Sequence, residues 1–316
     1  MNPYIASLVS LTITFFFLKR SIPYFKKYLV DKPNKRSSHN KPKPSGGGII
    51  FVFIGSFFCF LSGNNIPLYC IPLSIIGLAD DFYDLPAFLR YLAQLITALL
   101  LIFIVIRSGF IGLNLHFWTY IFLYVFGIIC TTAIINFTNF MDGIDGLLAG
   151  CFSIILLSAS NIIDISFLPL AGSVMGFLIL NWYPSKLFMG DTGSTFLGAL
   201  LAGLILKSGN LGDAIAILTI SSPLLVDSGV CVIRRFCFGQ NIFKAHKLHL
   251  YQRLVQSGWS HAKVSILYIS GTALCSIIYF KLGLRLLLLF SLVLLIIGIY
   301  LDLYIAVPFK LKNERN

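Results

Sequence analysis

Long apolar segments without charged residues constrain this chain more than any other feature. A segment of about 18 apolar residues can cross a hydrocarbon core about 30 Å thick, and eleven apolar segments follow one another along the 316 residues. Apolar residues make up 57% of the chain and charged residues only 11%, against about 25% charged in soluble domains. The composition therefore excludes a soluble domain, a disordered chain, a disulfide scaffold and a coiled coil. Weak period-two alternation argues against an outer-membrane barrel.

These segments predict an all-α, polytopic integral membrane protein with about 10–11 transmembrane helices in a single domain covering residues 1–316. The predicted spans are residues 3–18, 46–62, 67–79, 88–106, 118–135, 147–161, 167–183, 195–207, 211–232, 262–280 and 284–307.

The distribution of basic residues predicts the orientation of the spans. If the loop between the first two spans is cytoplasmic, 20 Lys and Arg residues lie on that side and four on the other. The positive-inside rule then places the N-terminus outside and the C-terminus in the cytoplasm. The net charge of +12 is explained by this asymmetry, so no nucleic-acid partner is expected.

The acidic residues are concentrated in three clusters at predicted cytoplasmic helix ends. The chain has 12 acidic residues, of which Glu314 is the one glutamate. Ionisable groups at membrane depth are costly and are candidates for function. Adjacent carboxylates suit Mg²⁺ bound together with substrate phosphates, although charges solvated at a helix boundary are the alternative. The clusters contain Asp80, Asp81 and Asp84, then Asp142 and Asp145, and finally Asp191.

The second and third clusters contain further polar groups. Asn136, Asn139 and Asp142 are spaced three apart, which predicts a polar stripe at the end of an apolar helix. Asp191 follows Gly190 just before a predicted span, where a helix N-terminus can bind an anion. Simple helix caps are the alternative for both motifs.

A basic loop follows the ninth predicted span. It contains Lys244, His246, His249 and Arg253, and such groups pair well with diphosphate oxygens. A solvated amphipathic segment is the alternative. A zinc site at the two histidines is disfavoured because no third His or Cys lies at ligand spacing. The seven cysteines show no paired spacing and are interpreted as packing residues with free thiols.

The ordered set of motifs resembles the polyprenyl-phosphate N-acetylhexosamine-1-phosphate transferases, the membrane family that includes MraY and WecA. The resemblance extends from the Arg36-Ser-Ser-His39 loop to Arg253. It includes the Asp80–Asp81 pair, the signature from Asn136 to Leu147, and Gly190-Asp191-Thr-Gly-Ser194. The last loop looks like that of the branch acting in O-antigen and related surface-glycan synthesis. It lacks the three-histidine cluster of MraY, which argues against a muramyl-pentapeptide substrate.

The resemblance implies a reaction in which a UDP-N-acetylhexosamine and undecaprenyl phosphate give a sugar-diphosphoryl lipid and UMP. It also implies a bacterial inner-membrane location, a cytoplasmic active site and Mg²⁺ as cofactor, with Mn²⁺ as a substitute. A homodimer is the one assembly we consider.

The same resemblance suggests roles for individual residues. Asp191 and Asn139 would bind the metal, and Asp80 with Asp81 would handle the acceptor's proton. Asp142 and Asp145 would bind the uridine, and Arg90 the acceptor phosphate. The diphosphate and sugar would be bound by Lys244, His246, His249 and Arg253, and Asn136 is a further substrate-binding residue.

Two other protein classes are considered. A transporter of an anionic substrate would place its charges near the bilayer midplane and often shows inverted repeats, whereas these clusters lie on one face and no repeat is visible. An intramembrane aspartyl protease would need neither the histidines nor a metal. The sugar itself is left open among GlcNAc, GalNAc, FucNAc and QuiNAc.

Overall fold

The computed structural model describes residues 1–31, 42–105, 116–242 and 246–309, and these form a helical bundle with one short hairpin. The helices are α1 (Pro3–Tyr28), α2 (Gly48–Leu61), α3 (Ile66–Tyr83), α4 (Ala87–Val105), α5 (Phe117–Phe140), α6 (Leu147–Ile162), α7 (Leu168–Asn181), α8 (Gly190–Lys207), α9 (Leu211–Ile220), α10 (Ser222–Cys237), α11 (Leu250–Gln256), α12 (His261–Leu282) and α13 (Leu284–Tyr300). A 3-10 turn (Ile165–Phe167) precedes α7, and a π-helical turn (Leu301–Ile305) follows α13.

Ten of the eleven predicted spans each coincide with one helix, and the all-α polytopic fold is confirmed. Among the described residues, six helices are long and apolar enough to cross a membrane alone. The ninth predicted span is instead two helices, α9 and α10, which meet at a bend of 74°. Three further apolar helices are shorter. The number that crosses the bilayer and the orientation of the termini stay predictions.

Local sequence signals explain where several helices begin and end. Asn2 starts α1, because its side chain accepts hydrogen bonds from the backbone N–H groups of Tyr4 and Ile5. Ser260 caps α12 in the same way through the N–H of Lys263. Gly283 separates α12 from α13 with a φ of 82°, a conformation that favours glycine.

Helix α8 lies at the centre of the bundle. Its residues from Thr192 to Leu204 are all buried, and α2, α3 and α5 pack around it. Two glycines allow the close approach at its N-terminus. A side chain at Gly48 would meet the backbone of Gly193, and one at Gly77 would meet the backbone of Asp191. The C-terminal end of α3 is therefore held against the start of α8.

The short hairpin joins the first loop to this region. Strand β1 (Val30–Asp31) pairs antiparallel with strand β2 (Lys43–Pro44). The N–H of Phe188 donates to the carbonyl of Pro44 at 2.8 Å, and the N–H of Gly47 donates to the carbonyl of Phe188 at 2.9 Å. The hairpin is thereby attached to the segment before α8. The Arg36–His39 motif between its strands lies outside the described residues.

Candidate active site

A cavity of about 810 Å³ opens where α3, α4, α5, α8 and the segment before α11 meet. This volume is within the range of small-molecule sites, about 300–1,000 Å³. Nine of the predicted site residues line it: Asp80, Asp81, Arg90, Asn136, Asn139, Asp142, Asp191, His246 and His249. The three acidic motifs, distant in sequence, therefore face one space.

Asp80 and Asp191 both lie near the guanidinium of Arg90. The Arg90 Nη1 atom lies 3.0 Å from Asp80 Oδ2 and 3.8 Å from Asp191 Oδ2. The other oxygen of Asp80 accepts the N–H of Leu85 at 2.7 Å. A carboxylate offers about four lone-pair positions, so Asp80 retains acceptor capacity towards the cavity. Arg90 is 44% exposed and is available to a bound anion.

Asp81, although adjacent to Asp80, has a different environment. Its carboxylate accepts the N–H of Asp191 at 2.9 Å, the N–H of Thr192 at 3.2 Å and the hydroxyl of Thr192 at 2.6 Å. These donors are at the N-terminus of α8, where backbone N–H groups have no partner within the helix. Asp81 thus caps α8 and fixes the backbone of Asp191. The geometry favours a positioning role over the catalytic role predicted for Asp81.

Two asparagines of α5 face the same cavity. Asn139 Oδ1 accepts the hydroxyl of Ser194 at 2.6 Å, and Ser194 is three residues after Asp191 on α8, on a neighbouring part of the helix surface. Asn136 exchanges hydrogen bonds with Gln94 of α4 at 2.7 and 3.2 Å. Amide and carboxylate oxygens are the ligands that Mg²⁺ prefers. The side-chain oxygens of Asp191 and Asn139 are therefore suitable ligands for Mg²⁺.

Asp142 follows the end of α5 and faces other acids. Burial raises the pKa of Asp142 to about 8, and the charges of Asp81, Asp31 and Asp145 act in the same direction. A cation or a cationic substrate group in the cavity would favour the ionised form. Without such a cation, a pKa of about 8 leaves Asp142 mainly protonated near pH 7.

Asp145, predicted to bind uridine, does not line the cavity. Its carboxylate is 1% exposed and binds Lys43 Nζ at 3.1 Å, the N–H of Ser185 at 2.9 Å and His261 at 3.5 Å. Burial raises the pKa of Asp145, but hydrogen bonds from His261, Ser185 and Lys43 outweigh burial and lower it below the usual value. Asp145 joins the hairpin to the segment before α8, which is a structural role.

His246 and His249 lie side by side, with ring centroids 4.9 Å apart. Burial lowers the pKa of His246 to about 3 and that of His249 to about 4, and nearby Arg235 adds to both shifts. The imidazoles are therefore neutral at pH 7. They can offer hydrogen bonds to a phosphate but no positive charge.

A buried aspartate that sequence reasoning missed holds this segment in place. Asp227 of α10 accepts the N–H of Leu250 at 2.7 Å, the N–H of Tyr251 at 3.0 Å and the hydroxyl of Tyr268 at 2.7 Å. The Tyr251 hydroxyl donates to the carbonyl of Phe140 at 2.9 Å. Asp227 thus fixes the start of α11 against the end of α5. Its sequence signal was an acid inside a predicted span.

Arg253 is also outside the cavity. It is 2% exposed and forms an ion pair with Asp302 of the π-helical turn. Its Nη1 atom donates to the carbonyl of Val307 at 3.0 Å. The predicted contact of Arg253 with a diphosphate is therefore replaced by attachment of the C-terminal segment. Lys244 lies outside the described residues.

Two further residues carried weak sequence signals. Gln94, the partner of Asn136, is a polar residue within the apolar helix α4. Cys231 of α10 is a free thiol, as are all seven cysteines. Its sulfur and one nitrogen each of His246 and His249 lie within 4.8 Å of one another. The third His or Cys that the sequence spacing lacked is thus close to the histidines in space, on another helix.

Comparisons with known proteins identify relatives of this chain. The glycosyl transferase family 4 model matches residues 66–209, which include the three acidic motifs but not the histidines. A probable undecaprenyl-phosphate N-acetylglucosaminyl 1-phosphate transferase of Bacillus subtilis is 30% identical over 275 aligned residues, covering 77% of this chain and 74% of the relative.

Two other relatives are similarly close. An undecaprenyl-phosphate alpha-N-acetylglucosaminyl 1-phosphate transferase of Thermotoga maritima is 31% identical, with 76% of this chain and 79% of the relative covered. A phospho-N-acetylmuramoyl-pentapeptide-transferase of Prochlorococcus marinus is 33% identical, with 77% and 72% covered. The fold and site define a polytopic membrane protein with a polar cavity at its helix ends. The chain belongs to glycosyl transferase family 4, within its MraY- and WecA-like membrane transferases.

Proposed function

We propose that this protein transfers an N-acetylhexosamine 1-phosphate from a UDP-sugar to undecaprenyl phosphate, producing a sugar-diphosphoryl lipid and UMP. The observation that carries the proposal is the convergence of Asp80, Asp191 and Arg90 with Asn139 in one cavity at the ends of apolar helices. A soluble anionic donor and a lipid acceptor can both reach such a place. The names of the relatives support the same chemistry.

The proposed donor is a UDP-N-acetylhexosamine, and UDP-GlcNAc is the first to test. N-acetylglucosamine occurs in the names of the Bacillus and Thermotoga relatives. The Prochlorococcus relative is named for a muramoyl-pentapeptide, so its donor belongs in the same panel. We assign the reaction to the first step of O-antigen or another surface glycan, at the cytoplasmic face of a bacterial inner membrane. The homodimer stays a prediction.

Phosphoryl transfer depends mainly on positioning and on neutralising charge. Asp191 and Asn139 would hold Mg²⁺, or Mn²⁺ in its place, which would neutralise the donor's diphosphate. Arg90, which is partly exposed and bonded to Asp80, would bind the acceptor phosphate. An acceptor oxygen would then form a bond to the sugar-bearing phosphorus, as the bond from that phosphorus to the UMP oxygen breaks.

The remaining residues would position these groups. Asp80 lies next to the Arg90 guanidinium and retains acceptor capacity, so it would take the proton of the acceptor phosphate. Asp81 would hold Asp191 in place through the α8 backbone. The neutral His246 and His249 would donate hydrogen bonds to donor phosphate oxygens. Asn136, held by Gln94, would contribute an amide at the cavity wall.

The test is a donor panel with the purified full-length protein in detergent, undecaprenyl phosphate and Mg²⁺. UMP and lipid-linked sugar are measured together. We expect equal amounts of both with one UDP-N-acetylhexosamine. Asp191→Asn should abolish both products, whereas Asp213→Asn, a control where α9 begins beyond the other end of α8, should retain them. Absence of UMP with every donor would refute the proposal.

A further inference from the structure

Three metal-ligand side chains of different elements meet at one edge of the cavity. Cys231 is on α10, whereas His246 and His249 are in the segment leading into α11. One ligand atom of each lies within 4.8 Å of the other two. Cys231 and His249 are each 3% exposed. A soft thiol and two imidazoles are metal ligands of a different kind from the oxygen ligands of Asp191 and Asn139.

The hydrogen bonding of the histidines leaves ligand positions available. His249 Nδ1 is buried and has no hydrogen-bond partner among the described residues. Asp227 Oδ1 lies 3.8 Å from that nitrogen, so Nδ1 can carry the proton and face this outer carboxylate while Nε2 binds the metal. His246 Nδ1 accepts the N–H of Leu248 at 3.2 Å. Coordination by His246 would give up that one backbone hydrogen bond.

We propose that Cys231, His246 and His249 form a binding site for a borderline-soft divalent cation, with Zn²⁺ as the best match. Cys sulfur and His nitrogen are both ligands of Zn²⁺, and three protein ligands with one open position are the pattern of catalytic zinc sites. Bonds of about 2.0–2.3 Å keep tetrahedral ligand atoms about 3.3–3.7 Å apart, so atoms at the 4.8 Å limit must approach by about 1.1–1.5 Å. The thiol loses its proton to solvent as the metal–sulfur bond forms.

The proposed metal site borders the cavity, because His246 and His249 both line it. In the proposed function these imidazoles bind the donor's phosphates. A cation coordinated by both would remove those hydrogen-bond donors, so Zn²⁺ would inhibit turnover by weakening donor binding. This consequence rests on the proposed function, whereas the metal site itself does not.

Binding is measured by titrating Co²⁺, as a spectroscopic substitute for zinc, into the metal-free full-length protein with its thiols kept reduced by a phosphine. We expect a thiolate-to-cobalt charge-transfer band and visible bands of four-coordinate cobalt, both displaced by Zn²⁺. Cys231→Ser should lose the charge-transfer band and weaken Zn²⁺ binding by at least about 10–100-fold, the loss typical of even an outer-shell change. His246→Ala is the second variant.

The matched control is Cys237→Ser, which alters the exposed cysteine at the end of the same helix and should bind cobalt as wild type does. Absence of the charge-transfer band in wild type, or its persistence in Cys231→Ser, would overturn the site. Zn²⁺ inhibition, measured relative to each variant's own metal-free turnover, should diminish in Cys231→Ser. A His249→Ala protein that loses cobalt binding but keeps its donor KM would refute the donor role and leave the metal site intact.

Discussion

Replacement of Asp81 by asparagine tests whether Asp81 positions Asp191 or acts on the substrate. The Asp81 carboxylate accepts three hydrogen bonds at 2.6–3.2 Å from Asp191 and Thr192. In Asp81→Asn one carboxylate oxygen becomes an NH₂ group, which cannot accept the N–H or the hydroxyl directed at it. A hydrogen bond to a charged group contributes about 1.5–3 kcal/mol.

That loss sets the expected size of the effect. An energy of about 1.5–3 kcal/mol shifts an equilibrium by about 10–150-fold. The equilibrium here is between protein with the start of α8 correctly placed and protein with it displaced. We therefore expect turnover of Asp81→Asn to fall by about 10–100-fold. The Mg²⁺ concentration for half-maximal activity should rise, because Asp191 is displaced. Thermal unfolding should occur at lower temperature.

The assay is UMP release as a function of Mg²⁺ concentration, together with a thermal melt in detergent. Thr192→Val is the matched control, since it removes the 2.6 Å hydroxyl bond and keeps both backbone bonds. Its loss should be at the lower end of that range, about 1.5 kcal/mol, because no hydrogen-bond donor is left facing an NH₂ group. Asp81→Glu should recover part of the activity. If Asp81→Asn lowered turnover with neither the Mg²⁺ dependence nor the melting temperature changed, Asp81 would be acting on substrate and the positioning role would be wrong.

Four further substitutions test the other roles. Asp191→Asn should abolish turnover in the UMP assay while the protein still inserts and folds; normal turnover with the usual Mg²⁺ dependence would remove it from the metal site. Asp80→Asn should lower the chemical step by about 10²–10⁴-fold, as is typical for loss of a general base, and a labelled phospho-sugar enzyme formed without acceptor would indicate a covalent route instead. His249→Ala should raise the donor KM while acceptor binding changes little; an effect on the acceptor alone would contradict the assignment. Asp227→Asn should raise the donor KM as well, and its effect should not add to that of His249→Ala; full additivity would show that the two act separately.

Helix α3 shows what sequence periodicity can and cannot predict at the candidate site. The spacing of four residues between Asp80 and Asp84 would place them on one face of a continuous helix. Helix α3 ends at Tyr83, however, and Asp84 adopts a left-handed conformation with a φ of 50°. Asp80 and Asp81 are consecutive, and consecutive helical residues point in directions about 100° apart. One therefore faces Arg90 and the other faces α8, a difference that no spacing rule could assign without knowing the neighbouring helices.

The sequence by itself determined the helical membrane fold and the acidic motifs. The length of an apolar segment and its lack of charge are local properties, so the sequence alone is enough to predict a membrane-spanning helix. The tertiary structure alone decided which polar residues share a cavity. In the folded protein Asp145 pairs with Lys43, and Arg253 pairs with Asp302. Cys231 lies next to the two histidines. These outcomes depend on how helices far apart in sequence are rotated and packed, because a buried charge must find a partner wherever the fold supplies one.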